Sequence, residues 1–364
     1  MKRKKVLLLT ICILSLAFIV DYSYEYITFQ KYNQKPLSLE TPDGTNQPYH
    51  PSVVFIPKPW NGYRYWMAET PYPLGKNGDW AGLKPYRARW ENPCIHVSND
   101  GINWIIPKGL NNPIDNLASK DILNHGYYSD THLVMKEDTL ECWYRYSDPA
   151  TNSLYILKKR SVDGIHFMRK DTMINLQDSH VSRQLGKIII SQALIFKDKK
   201  YYMWYVNKVK GKRGIDFSTS RDGINWNTLK HCILSDNSIN PWHIDVEYID
   251  NNFYLLSYDQ KDLILWRSSD GLCFYKIKKI LSPCPIVGSF YSSGLYRSCL
   301  LKDNEEYKLY FSAFEKKTSI GLMTGSSIDS LSIYSVGGKH VTFWKFPIVY
   351  LRIMKQKITS FIYL

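Results

Sequence analysis

Ser98-Asn99-Asp100-Gly101-Ile102-Asn103-Trp104 returns along the chain as Ser161 to Phe167, Ser220 to Trp226 and Ser268 to Phe274. A degenerate copy follows at Ser327-Ile328-Asp329-Ser330, with Ile333 in the aromatic place. The intervals are 63, 59, 48 and 59 residues, a regular spacing that marks a structural repeat. Asp-Gly suits a tight turn, because glycine accepts positive φ without strain and the Asp side chain can bond the backbone of its own turn. The motif aspartates are therefore expected to hold turns, and the closing Trp or Phe to pack between repeats.

Each copy has the same lead-in. An apolar run comes first: His50 to Phe55, Asp130 to Met135, Ser191 to Phe196, His243 to Tyr248 and Tyr296 to Leu301. A polar turn follows, such as Lys197-Asp198-Lys199-Lys200, and then an aromatic strand, such as Tyr63 to Glu69 or Tyr201 to Asn207. A third strand enters the Asp-Gly turn and the closing aromatic starts a fourth. Four short antiparallel strands repeated five times predict an all-β fold, a five-bladed β-propeller. The expected organisation is an N-terminal segment at 1–25, a linker at 26–47, the propeller at 48–338 and a basic, apolar tail at 339–364.

With 44% hydrophobic and 22% charged residues in 364, the chain is too apolar to be globally disordered. Its formal charge is +14, but nine of the basic residues lie at positions 2–5 and 339–357, which leaves +5 for residues 6 to 338. Charge carried at the ends does not make the basic patch that a nucleic-acid partner needs; an anionic membrane is the better reader. Lys2 to Lys5 precede fifteen uncharged residues, Val6 to Val20, and then Asp21. This is an export signal in form. It is short for a span, which suits a signal peptide, yet no small-x-small cleavage site follows, which suits an uncleaved anchor. Either way the body is expected outside the cytoplasm, secreted or membrane-anchored, as a monomer with membrane association through this segment the favoured expectation. Besides Cys12, the six cysteines Cys94, Cys142, Cys232, Cys273, Cys284 and Cys299 form no CxxC pair. Their place in apolar runs suggests buried free thiols.

First strands line a propeller's channel, so their opening residues converge at its mouth. Aligned, they give a column of His50, Asp130, Ser191, His243 and Tyr296. Two residues on, on the same face, stand Ser52, His132, Ala193, Asp245 and Ser298. Around His50-Pro51-Ser52-Val53-Val54, Tyr63 to Ala68, Glu91-Asn92-Pro93 and the repeated turns, the chain resembles the five-bladed glycoside hydrolases of the arabinanase, xylosidase, levanase and invertase type. The resemblance implies an Asp opening the first inner strand as base or nucleophile, a second Asp in blade two and a Glu acid in blade three. Asp130 matches the second; His50 stands for the first, and Ser191-Gln192-Ala193 where the Glu is expected.

Cleavage between sugars needs two facing carboxyl groups, so the catalytic candidates are Asp130, Asp245 and Glu91, with Glu69 a weaker choice. For sugar binding, the candidates are His50, Trp66, Tyr128, His132, Gln192, Trp242, His243, Tyr296 and Arg297. Histidines can donate to or accept from hydroxyls, aromatic rings can stack on sugars, and Arg297 can bind a carboxylate or sulfate. No metal-ligand spacing is present, and no cofactor is expected. The sequence thus points to an exported glycoside hydrolase-like enzyme acting on a polysaccharide or oligosaccharide. The alternatives are a propeller that only binds carbohydrate and, third, a glycan transferase or phosphorylase.

Overall fold

In the repeated turns, Asp100 Oδ1 accepts from the backbone N–H of Ile102 and of Asn103, both at 2.8 Å, and Ser98 Oγ accepts from Gly101 N at 2.9 Å. The same bonds recur around Asp163, Asp222 and Asp270. The turn glycines have φ near +75° and sit against a large ring on another strand. A Cβ on Gly164 would lie 2.1 Å from Trp66, one on Gly223 2.8 Å from Trp143, and one on Gly271 3.0 Å from Trp204. Glycine is thus required twice over, by the turn and by the neighbouring blade. The fourth blade has no tryptophan in its second strand, and the turn that follows has Ser330 in the glycine place.

The computed structural model describes residues 2–32, 34–74, 91–117, 126–209, 211–284, 289–304, 306–334 and 343–362. Blade one holds β1 (Pro48–Trp60), β2 (Tyr63–Pro71) and β3 (Cys94–Ser98). Blade two holds β4 (Tyr127–Lys136), β5 (Thr139–Asp148), β6 (Ser153–Ser161) and β7 (Asp171–Asn175), followed by helix α2 (Ser179–Leu185). Blade three holds β8 (Ile190–Lys197), β9 (Lys200–Val209), β10 (Lys212–Ser220) and β11 (Lys230–His231). Blade four holds β13 (His243–Ile249), β14 (Asn252–Tyr258), β15 (Leu263–Ser268) and β16 (Cys273–Leu281), with β12 (Ile233–Leu234) added in parallel to its outer edge. Blade five holds β17 (Gly294–Lys302), β18 (Tyr307–Phe314), β19 (Thr318–Gly325) and β20 (Ser332–Ile333). The fold is the expected five-bladed propeller, with three to five strands per blade among the described residues rather than a uniform four.

Apolar clusters fill the spaces between successive blades, and the closing aromatics Trp104, Trp226 and Phe274 are buried in them. The ring closes between blades five and one, where Val53, Tyr65, Cys299 and Tyr310 share a core with Leu37 and Leu39 from the segment before β1. Helices α1 (Lys2–Tyr32) and α3 (Pro347–Ile362) flank the propeller in sequence. A closing strand over Val341 to Phe346 would suit the sequence, but residues 343–346 form a turn into α3, and Val341 and Thr342 lie outside the described residues.

The five inner strands β1, β4, β8, β13 and β17 leave one edge facing the channel, and a free strand edge carries unpaired backbone N–H groups. Side chains of the preceding blade satisfy them. Leu133 N donates to Ser52 Oγ (2.9 Å), Leu194 N to His132 Nε2 (3.0 Å) and Ile244 N to Ser191 Oγ (3.0 Å). Leu300 N donates to Asp245 Oδ2 (3.1 Å) and Val53 N to Cys299 Sγ (3.2 Å). These five bonds run once round the ring.

Candidate functional site

Four of the five inner strands break register where the polar column begins: Tyr49/Ser52, Ser129/His132, Ile190/Ala193 and Leu295/Ser298. Within these bulges His50, Asp130 and Ser191 have φ of 55°, 56° and 50°. Left-handed backbone at a non-glycine residue costs on the order of 1–3 kcal/mol, and bulges of this kind turn a side chain out of the pleat. Here they surround a cavity of about 510 Å³ at the channel mouth.

Its polar lining is His50, Glu91, Ser129, Asp130, Arg145 and His243; its walls are Tyr49, Tyr72, Tyr127, Trp242, Tyr258, Tyr296, Ile190 and Phe314. Asp130 is buried at the centre of the charge network. Arg145 Nε lies 2.9 Å from Oδ2, His243 Nδ1 3.5 Å and Arg297 Nη1 3.8 Å from Oδ1, and Ser191 N donates to Oδ2 at 3.1 Å. Burial by itself would raise this carboxyl. The Arg145 and Arg297 guanidiniums, joined by His243 and His50 only where these are protonated, outweigh it and hold the group ionised, well below the usual carboxylate range.

The histidines go the other way. Burial lowers His50 to about 3 against the pull of Asp130, and His50 Nδ1 pairs with Thr70 Oγ1 at 2.7 Å. His243 is held well below its ordinary value by burial, with His50 and both guanidiniums adding to that effect. Among the described residues its two ring nitrogens have no hydrogen-bond partner. Both imidazoles are therefore neutral at ordinary pH. Trp242 donates to Tyr296 Oη at 2.8 Å and carries Arg213 4.0 Å above its ring, so this wall is braced from behind.

The structure thus gathers Asp130, Glu91, His50, His243, Trp242 and Tyr296 at one cavity. The other sequence candidates lie elsewhere. Asp245 and His132 belong to the ring of clasps below the cavity, 3.9 Å apart; burial raises Asp245 to about 6 although Arg297 pulls down, and lowers His132 to about 3. Gln192 is buried and donates to Asp130 O at 2.6 Å. Arg297 is not on the rim. It is 1% exposed, with Nη2 donating to Gln192 O at 3.0 Å and lying 3.4 Å from His132 Nδ1, and so ties the cavity floor to the clasps.

Trp66 fills the space between blades one and two, and Tyr128 lies in the same core with Lys170 Nζ at 2.5 Å from its hydroxyl. Period-two alternation explains Tyr128, whose neighbours Tyr127 and Ser129 line the cavity, so that its own ring points to the opposite face. Glu69 is buried beside His96, 3.8 Å away, and burial raises it to about 8, so it is uncharged at neutral pH.

Sequence reasoning missed Arg145 and the tyrosines at 49, 72, 127 and 258. The signal for Arg145 was a cation inside the aromatic run Trp143-Tyr144-Arg145-Tyr146, on the strand paired with the column; it faces Ser129 in register. The donors a cation would meet at the cavity are Asp130, Glu91, His50 and His243. Deeper in the channel, Asp245, Glu247 and Cys299 hold ligand-capable atoms within 4.8 Å of one another.

The chain matches no protein-family model. It is similar to the A type blood N-acetyl-alpha-D-galactosamine deacetylase of Flavonifractor plautii, with 25% identity over 336 residues, covering 78% of this chain and 42% of that protein. The chain thus spans about two fifths of that relative's length. Among solved structures, the crystal structure of an N-acetylgalactosamine deacetylase from F. plautii in complex with blood group B trisaccharide superposes with a TM-score of 0.65 at 21% identity, covering 84% of this chain and 95% of that one. The GH43_1 enzyme from Xanthomonas citri gives a TM-score of 0.54 at 9% identity, covering 86% and 98%. The propeller resemblance read from the sequence is thus shown as a fold shared with glycoside hydrolases and with a carbohydrate deacetylase.

Proposed function

We propose that the chain is a carbohydrate-acting hydrolase that removes the acetyl group from an N-acetylated sugar held at the channel mouth. The observation that carries this is the charge state of Asp130, one of the two carboxylates that line the cavity. Asp130 is locked in its ionised form between two guanidiniums, so it is a poor base and cannot be an acid. Glu91 is then the cavity carboxylate left for proton transfer. A glycosidase needs two carboxyls that both take part, whereas amide hydrolysis needs one group to carry the proton and positive charge to hold an oxyanion. The 25% identity to a deacetylase supports the same choice.

In this reading the aromatic wall stacks on the sugar and places the acetamide over Asp130. Glu91 takes a proton from a water molecule whose oxygen attacks the acetamide carbonyl carbon. The new oxyanion is met by the Arg145 guanidinium and by the single N–H of a neutral His243, carried on Nε2. The carbon–nitrogen bond then breaks as Glu91 returns the proton to nitrogen, leaving acetate and the free amino sugar.

The test is to incubate the full chain with oligosaccharides ending in N-acetylgalactosamine or N-acetylglucosamine and to follow acetate and reducing ends together. Acetate without new reducing ends is expected. Reducing ends without acetate would make it a glycoside hydrolase, and saturable binding with neither product a non-catalytic lectin-like propeller; either outcome overturns the deacetylase reading.

A further inference from the structure

The first and last helices touch each other. Helix α1 carries a 20-residue stretch, Thr10–Phe29, of mean hydropathy 1.3 and only 11% buried; at about 1.5 Å per residue this is close to the roughly 30 Å of a bilayer core. Ile11, Leu14, Leu16, Ile19 and Val20 are each more than half exposed. Two carboxylates, Asp21 and Glu25, interrupt its second half, and an uncompensated carboxylate in hydrocarbon is costly. Helix α3 covers both of them. Tyr350 Oη donates to Asp21 Oδ2 at 2.5 Å, and Lys357 Nζ pairs with Glu25 Oε1. Tyr22 Oη donates to Phe343 O at 2.8 Å, and Phe18, Tyr22, Tyr26 and Phe29 meet Phe343, Phe346 and Tyr350 ring to ring.

Helix α3 has two faces at helical spacing. Tyr350, Ile353, Met354 and Lys357 face α1, with Tyr350 and Ile353 buried. Ile348, Leu351 and Ile358 lie on the other face, 66%, 68% and 56% exposed, and Trp344 just before the helix is 87% exposed. Residues 339–364 contain no acidic group and include Lys345, Arg352, Lys355 and Lys357. An apolar stripe edged by cations matches an anionic lipid surface in both hydrophobicity and charge.

We infer that α1 is retained as a membrane anchor and that α3 docks on its outer end as an interfacial helix, laying Trp344, Ile348, Leu351 and Ile358 into anionic lipid. This explains why the second half of α1 keeps two acidic residues: they are the clasp that orients α3. A removed signal peptide would leave Tyr350 and Lys357 without these partners.

The experiment uses the full chain. Intact-mass analysis of protein from the membrane fraction of an exporting bacterial host is expected to find α1 present; a chain beginning at or beyond Asp21 overturns retention. In a Cys12→Ser background, Ile348→Cys carrying an environment-sensitive dye is reconstituted into vesicles of phosphatidylcholine alone or with phosphatidylglycerol. A blue shift that grows with phosphatidylglycerol and is lost in the Tyr350→Ala, Lys357→Ala double variant is expected. An unshifted spectrum or a shift indifferent to lipid charge would each overturn the docking.

Discussion

Replacing Arg297 with Met probes the floor of the site, because a side chain of similar length is kept while one buried charge is lost. Arg297 Nη1 is 3.8 Å from Asp130 Oδ1, and at an effective dielectric of about 20 a unit pair at that distance is worth about 4 kcal/mol. Arg145 remains on the other oxygen at 2.9 Å, so Asp130 is only partly stranded; removing one partner of a buried pair typically costs about 3–5 kcal/mol, and the lower end applies here, about 3 kcal/mol at pH 8. The loss depends on pH through Asp245. Its folded pKa of about 6 is raised by burial and restrained by Arg297. A carboxyl raised above its unfolded value opposes folding where it is ionised, and that opposition fades as pH falls through the folded pKa. Without Arg297 the folded pKa climbs further, so the variant's deficit is greatest at pH 8 and shrinks towards pH 5. Urea unfolding followed by tryptophan fluorescence at both pH values measures this. A deficit below about 1 kcal/mol at pH 8, or one equal at both pH values, would refute the assignment of Arg297 as the internal counter-charge.

Asp130→Asn and Glu91→Gln are each expected to lower acetate release by about 100-fold or more, whereas Asp245→Asn, which keeps an acceptor for Leu300 N–H, is expected to stay within a few-fold of the parent rate; equal loss in all three would move the chemistry down the channel. Because burial holds His50 and His243 neutral, the acid limb of the pH–rate profile is expected below the ordinary histidine value of 6.5, and a half-maximal point at or above it would contradict their protonation state. Gly164→Ala is expected to destabilise by about 2 kcal/mol or more, since its Cβ would meet the Trp66 ring at a positive-φ turn. Gly211→Ala, with open space around it, serves as the control, and similar thermal shifts in the two would remove the interblade argument.

How far the sequence reaches can be seen residue by residue. Strand alternation, Asp-Gly turns and closing aromatics act within about ten residues, so they were readable, and their regular return set the number of blades. The column itself was also readable, because every repeat opens with the same lead-in of an apolar run, a polar turn and an aromatic strand. The sequence could not say which column members share a space. Asp130 and Asp245 look equivalent as acids two places apart in aligned strands. Yet a bulge at φ 56° swings Asp130 into the cavity, while Asp245 stays in the pleat and accepts Leu300 N–H. Glu91 reaches the site from a segment before β3, and Arg145 from a second strand, contacts that span many residues of chain.

By itself, then, the amino-acid order determined the repeat, the strand types and the apolar, basic character of the two ends, because each rests on local backbone preference and burial pattern. Only the closed ring decided that Arg297 is a buried counter-charge and that His132 and Asp245 cap free strand edges. Those roles depend on which distant groups the ring brings within a few ångströms, where charge and hydrogen bonding act.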